Sequence, residues 1–468
     1  MDYKKLFIDG KWVNSSSDTF IEVTNPADNS FIAHVPSANI DDLNFAISSA
    51  DKAYATWSSL SLTARLDYLN RLLHELTKFS QELTSVIVKE LGCPVSFSYE
   101  SQVISSLNEF SSLLDFAKKI DFEKRYDGYT LRREPFGIVA CICPWNYPLY
   151  QLVLKVIPAL ICGNTVILKP ASITPMSAFY FAEAVRLANL PKGVFNLITG
   201  SGSLIGRTMA EHEKIDMVSF TGSTAVGKDI IIHSASTVKK VSLELGGKSP
   251  CLVLENADYS LAVDTVLDSC FLNSGQTCSA FTRMYVPISS KEKILDLIRD
   301  RIDKYVSGNP LDPNFKLGSM SSLEQSKIVR SYVNSALSNG ARIITCKSSD
   351  SSLSDTFINP CVLFDISDDM EIAKAEIFGP VLSVITYDDL EYAIKKCNDS
   401  PYGLSSCIFG DEKKALSIAK KLKAGNVHIN ASPFITGAPF GGYKQSGLGR
   451  EGGELGILEF TEVKAIFH

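Results

Sequence analysis

Between Gly137 and Leu245 the chain repeatedly alternates a short apolar run with a single helical pattern. Gly137 to Cys143, Thr165 to Leu168, Val194 to Ile198, Met217 to Phe220 and Val241 to Leu245 read as buried strands. Thr174-Pro175 offers an N-cap and a first-turn proline for a helix reaching about Ala188. Strands joined through single helices imply a parallel sheet with helices on both faces. Such sheets hold ligands beyond the carboxyl ends of their strands. Asn146, Lys169, Gly200, Gly222 and Glu244 all fall at, or just after, a predicted strand end.

The flanking segments add three features. Leu6-Phe7-Ile8 and Lys11-Trp12-Val13 around Asp9-Gly10 predict a hairpin. Leu62 to Leu91 keeps helical spacing and stops at Gly92-Cys93-Pro94. A second α/β run extends from about Gly247 to residue 435, with a helix from about Asp258 to Phe271 leading into a loop that carries Cys278. Phe122 to Glu134 is polar and turn-rich, and Ser348 to Ser354 reads as a short exposed serine-rich loop. There are no repeats and no long linker.

At 468 residues the chain exceeds one ordinary core and divides into domains. A net charge of −6 gives no concentrated basic surface, so nucleic-acid binding is not expected. The start lacks a signal-peptide core. The most apolar stretch, Leu152 to Ile161, is short and contains Lys155 and Pro158, so it cannot span a bilayer. A cytoplasmic protein is expected. Most of the eleven cysteines then read as buried, inert packing. The six histidines lie far apart with no metal-ligand spacing, and no catalytic metal is expected.

Four motifs remain, and their order matters. They are Pro144-Trp145-Asn146-Tyr147-Pro148, Glu244-Leu245-Gly246-Gly247-Lys248-Ser249-Pro250, Ser274-Gly275-Gln276-Thr277-Cys278 and Glu376-Ile377-Phe378-Gly379-Pro380. In this order the chain resembles the aldehyde dehydrogenase family over nearly its whole length. The resemblance implies a doubly wound, Rossmann-like α/β cofactor domain over residues 1–116 and 136–246. It implies an α/β catalytic domain over 247–445, and a small β oligomerisation arm with the C-terminal segment over 117–135 and 446–468. The arm implies a homodimer or homotetramer.

An aldehyde carbon is electron-poor and does not readily release hydride. Addition of a thiolate gives an oxyanion that expels it, leaving a thioester for activated water to cleave. The resemblance assigns the thiol to Cys278, the base to Glu244 and the oxyanion donor to Asn146, with help from the Cys278 backbone N–H. The residues alone leave other readings open: a packing cysteine, a surface glutamate, a turn asparagine. They do favour a polar loop at Cys278 and a buried strand end at Glu244, where burial would raise the carboxyl toward neutrality.

No complete G-x-G-x-x-G is present. Gly200-Ser201-Gly202 with Gly206, and Gly222-Ser223-Thr224-Ala225-Val226-Gly227, follow strands instead. The resemblance gives NAD or NADP as cofactor, held around Trp145, Lys169, Ser172, Gly202, Gly206, Phe220, Gly222, Ser223, Val226, Gly227, Leu245, Glu376 and Phe378. It lines the substrate pocket with Tyr147, Gln151, Leu154, Thr277, Ser279 and Phe434. That set contains no arginine, so a neutral aliphatic or aromatic aldehyde is favoured over one with a carboxylate tail. Two alternatives are an enzyme passing the thioester to coenzyme A, which relatives of that type do without the glutamate, and a non-catalytic binding or structural protein on the same fold.

Many NAD-preferring relatives carry a glutamate where Ser172 stands, and that carboxylate would repel the extra phosphate of NADP. Turnover with NADP is therefore expected, with KM for both cofactors as the measurement. Strong selectivity for NAD would contradict it.

Overall fold

The computed structural model describes residue 1, residues 3–346 and residues 353–468. The serine-rich stretch lies outside the described residues as far as position 352.

Two large sheets organise the chain. In the first, five parallel strands run in the spatial order Lys240–Glu244, Met217–Thr221, Ile138–Ile142, Thr165–Lys169, Phe195–Leu197. The register pairs Val139 with both Met217 and Val166. Chain order reverses between Ile138–Ile142 and Met217–Thr221, which opens a crevice at their carboxyl ends. The sheet is mixed rather than purely parallel. Leu6–Ile8 and Gly447–Leu448 add antiparallel strands at opposite ends. The Leu6–Ile8/Lys11–Val13 hairpin turns through Asp9 and Gly10, both at positive φ (54° and 72°), as a two-residue turn requires.

Alternate residues of the central strands feed different cores. Val139, Cys141, Val166 and Leu168 pack on one face, and Ile138, Ala140, Ile142 and Ile167 on the other. Burial on both faces explains why these strands read as continuous apolar runs. The second sheet runs Arg342–Thr345, Cys361–Phe364, Val381–Tyr387, Phe281–Pro287, Ser249–Val253, Ser405–Phe409, Asn426–Ile429. It too is buried on both faces, with Leu252 and Tyr285 on one and Cys251 and Met284 on the other.

Thr461–Phe467 pairs antiparallel with Tyr129–Pro135, which pairs with Glu123–Tyr126. The polar stretch before residue 134 is thus a hairpin. Leu62 to Leu91 is two helices, Leu62–Thr77 and Ser80–Leu91, the second ending on left-handed Gly92. No helix among the described residues is long and apolar enough to cross a membrane.

One expected cap is replaced. The helix is Met176–Leu187, and Thr174 does not cap it: its Oγ1 donates to the Trp145 carbonyl at 3.1 Å. The cap comes from Glu90, 1% exposed, whose Oε2 accepts from the Met176 N–H at 2.8 Å. Burial raises this carboxyl to about 8, against the opposing Met176 and Ser177 amides. A carboxyl raised on folding favours the fold while protonated. That contribution is whole below the unfolded value of 4.5 and is lost as pH climbs through about 8. Glu90→Gln cannot ionise, so it should gain stability over the parent between about pH 5 and 8, then level off. Urea midpoints across that range measure the difference, and a difference constant with pH would contradict the account.

Candidate active site

Strand ends deliver the candidate residues to the crevice. Between Ile138–Ile142 and the helix Pro148–Cys162 lies the turn carrying Trp145, Asn146 and Tyr147. Asn146 is buried, and its Nδ2 donates to the Gln276 carbonyl at 2.9 Å. The Asn146 carbonyl accepts from Gln102 Nε2 at 2.8 Å and from Asn273 Nδ2 at 3.0 Å. The second N–H of Nδ2 has no acceptor among the described residues.

Cys278 follows three consecutive left-handed residues, Asn273, Ser274 and Gly275 (φ 52°, 54° and 75°). A Cβ on Gly275 would strike the Gly379 backbone, so the loop passes against the one that follows Glu376. Cys278 is half-buried, while the other ten cysteines are buried. Burial of the thiol, then Glu376, Glu244 and Glu451, push it up to about 12.

Glu244 ends its strand 3% exposed, and neither carboxylate oxygen has a hydrogen-bond partner. Burial and then Glu451 hold it well above the ordinary carboxyl range, with Lys155 and Arg450 opposing. Lys155 and Glu451 form a fully buried ion pair. Lys155 Nζ also donates to Thr221 Oγ1 at 2.7 Å, and Thr221 donates to Gln151 Oε1 at 2.9 Å. The sequence reading missed this pair. Its signal was available: Lys155 is the one cation inside the otherwise apolar helix Pro148–Cys162.

The residues expected around a dinucleotide lie along both sides of the crevice. Ser223 caps the helix Thr224–Ser234, accepting from the Val226 N–H at 3.3 Å. Gly222 lies against the Phe220 ring and Gly227 under Leu245, each too close for a Cβ. Around Gly202 the space is open, and Gly206 approaches only Ile142. Lys169 is buried, donates to the Pro170 carbonyl at 3.2 Å, and is lowered by burial to about 8. Ser172 donates to the Gly200 carbonyl at 3.2 Å. Glu376 accepts from the Gly247 N–H at 2.9 Å and is raised by burial to about 7. Phe378, also left-handed, meets Trp145 edge to face with centroids 5.4 Å apart. A helix N-terminus at a strand-order reversal, an ammonium with a single weak partner and a half-buried carboxylate form a set suited to a phosphate and two riboses.

Cys278 opens onto a cavity of about 510 Å³ lined also by Tyr147, Gln151, Leu154, Thr277, Ser279 and Phe434. Tyr147 and Thr277 share a 3.0 Å hydrogen bond between their hydroxyls. No lysine or arginine lines it among the described residues. Arg283 is engaged elsewhere, donating to the carbonyls of Lys248 at 3.0 Å and Cys397 at 3.2 Å. The sequence reading also missed Glu109, which lies on the wall of this cavity.

The family model for aldehyde dehydrogenases matches residues 12–466. The chain belongs to that family. It is similar to aldehyde dehydrogenase C of Pseudomonas syringae, solved as a cysteine-to-alanine variant with NAD+ and octanal. That likeness has 37% identity and a TM-score of 0.97 over 99% of this chain and 96% of the other. The aldehyde dehydrogenase of Bartonella henselae shares 34% identity at a TM-score of 0.97, over the full length of both chains. Betaine aldehyde dehydrogenase of Staphylococcus aureus, solved with NAD+, shares 34% at 0.94, over 99% and 94%.

The buried pair tests the site's electrostatics. Lys155→Met strands Glu451 without its cation and should cost about 3–5 kcal/mol in urea denaturation. Adding Glu451→Leu should restore most of that. A loss in the single variant below roughly 1 kcal/mol would contradict a buried, mutually dependent pair.

Proposed function

We propose that this chain oxidises an aldehyde to a carboxylic acid by the hydrolytic route. The observation that carries the reading is Glu244: a buried carboxylate with two unpartnered oxygens, close enough to Cys278 to raise its thiol. A structural carboxylate would be paired or solvated. An unpartnered one beside a nucleophile suits a base that takes a proton from water.

Cys278 supplies the sulfur that adds to the carbonyl carbon. The N–H of Asn146 Nδ2 not used by Gln276, with the Cys278 backbone N–H, would donate to the oxygen on which charge develops. The Gln276 carbonyl fixes the other Asn146 N–H, so this donor needs little reorganisation during reaction. A bound nicotinamide would supply the hydride acceptor. Lys169, Ser223 and Glu376 would hold it, and Ser172 leaves room for either NAD or NADP. Glu244 then deprotonates the water that cleaves the thioester, with Lys155 and Arg450 favouring its charged form against burial and Glu451. The same carboxylate disfavours transfer to coenzyme A, which needs no base for water.

No lysine or arginine lines the cavity among the described residues, which supports exclusion of carboxylate tails and acceptance of neutral ones. Two edge strands of the three-stranded sheet, with Phe467 at 81% exposure, support pairing with a second copy as dimer or tetramer.

Absorbance at 340 nm tests the mechanism. The parent should form reduced cofactor from neutral aldehydes. Cys278→Ser should lose turnover by roughly 1,000-fold or more, as removal of a covalent nucleophile does. Glu244→Gln should retain a single-turnover burst and then stall. Steady turnover in Glu244→Gln, or full rates in Cys278→Ser, would sink this reading.

A further inference from the structure

The far wall of the cavity holds an anion that the oxidation chemistry does not use. On the helix Ser105–Ala117, Ser105 and Glu109 lie one turn apart and both line the cavity. Glu109 is 2% exposed, and its Oε1 has no hydrogen-bond partner. Gly452 stands across from it: a Cβ there would lie 3.7 Å from Oε1, so no side chain at this position packs over that enclosed oxygen.

A buried carboxylate oxygen without a donor costs free energy that the fold recovers only if something pairs with it. Nothing on the cavity wall does so by charge. The nearest cation in the network, Lys155, is committed to Glu451. Burial raises the Glu109 carboxyl to about 7, the Tyr150 hydroxyl beside it lowers it, and Glu451 raises it further. Among the described residues, Glu109 is the one carboxylate on the wall and no lysine or arginine faces it, so the wall is electronegative there. A carbonyl or ether tail would bring no donor, and a carboxylate tail would be repelled. An ammonium brings both charge and N–H donors.

We infer that this cavity selects aldehydes whose far end carries a protonated primary amine, held by the Glu109 carboxylate with Tyr150 beside it. Glu109 is a specificity residue. It takes no part in bond making at Cys278. Neutral aldehydes enter the same cavity but leave Oε1 unpaired. The inference rests on the proposed aldehyde oxidation and narrows its substrate.

The test uses the full-length protein with 3-aminopropanal, butanal and 4-oxobutanoate, which are similar in length and differ in terminal charge. The expected order of kcat/KM is amine, then neutral, then carboxylate. The amine-to-neutral ratio should be roughly tenfold or more, the worth of one charge-assisted hydrogen bond. In Glu109→Gln that ratio should collapse toward one. A parent ratio of one or less, or a ratio unchanged in Glu109→Gln, overturns the inference. If Glu109→Gln does not fold, propylammonium should competitively inhibit butanal oxidation by the parent while 1-propanol does not, and equal effects overturn it. Butanal oxidised without amine preference removes this inference alone. No oxidation of any of the three removes the proposed function as well.

Discussion

The hydrogen bond from Asn146 Nδ2 to the Gln276 carbonyl ties the two halves of the site together. Asn146 stands on the loop leaving the first sheet, and Gln276 on the loop entering the second. Around that contact the donors and acceptors interlock. Asn273 and Gln102 both donate to the Asn146 carbonyl, Gln276 Nε2 returns to the Asn273 carbonyl at 3.1 Å, and Gln276 Oε1 accepts from the Ser321 N–H at 2.8 Å. A buried network of this kind, even with Gln102 Oε1 and Asn273 Oδ1 unpartnered, restricts the geometry between the amide and the cysteine loop. Gln102 sits in a stretch of wider helix, Ser98–Ile104, a departure from α geometry common at functional sites.

The second organising feature is an excess of buried carboxylates. Buried Glu244, Glu451 and Glu109, with half-buried Glu376, all lie near the cavity or the crevice, and the ammonium of Lys155 is committed to Glu451. Lys248 does not redress the balance: it is buried, its Nζ is unpartnered, and burial lowers it to about 7. Left alone, such a site penalises both the thiolate and the carboxylates. Positive charge brought into such a site would offset that cost.

What the sequence disclosed was local, and what it concealed was long-range. Buried strands announced themselves because both faces of each sheet are covered, and the Asp9-Gly10 turn because only a few residues accept its backbone. Glu244 was legible as a polar residue closing an apolar run. A lone cation in the helix Pro148–Cys162 marks Lys155 as needing a partner, but Glu451 lies 296 positions away, so the sequence does not say which residue that partner is. Thr174 fitted a cap, yet the carboxylate of Glu90 reaches the helix first. The hairpin before residue 134 was not legible from its own residues, which are exposed and polar; only the family resemblance pointed to a β arm there with the C-terminal segment, and its partner strand is Thr461–Phe467.

The loop before Cys278 shows how the fold supports its candidate nucleophile. Asn273 and Ser274 hold left-handed backbone at about 1–3 kcal/mol each, a cost that surrounding contacts must offset. The offsets are specific. Asn273 is held through its side-chain amide, Ser274 Oγ donates to the Gly318 carbonyl at 3.0 Å, and Gly275 lies flat on Gly379. The facing loop carries its own left-handed residue, Phe378, whose ring is braced by Trp145. Two strained loops thus clasp each other, one bearing Cys278 and the other Glu376. Neither can relax without breaking the contact that positions its partner. Strain distributed in this way fixes the thiol before any ligand arrives, and less binding energy is then needed to orient it.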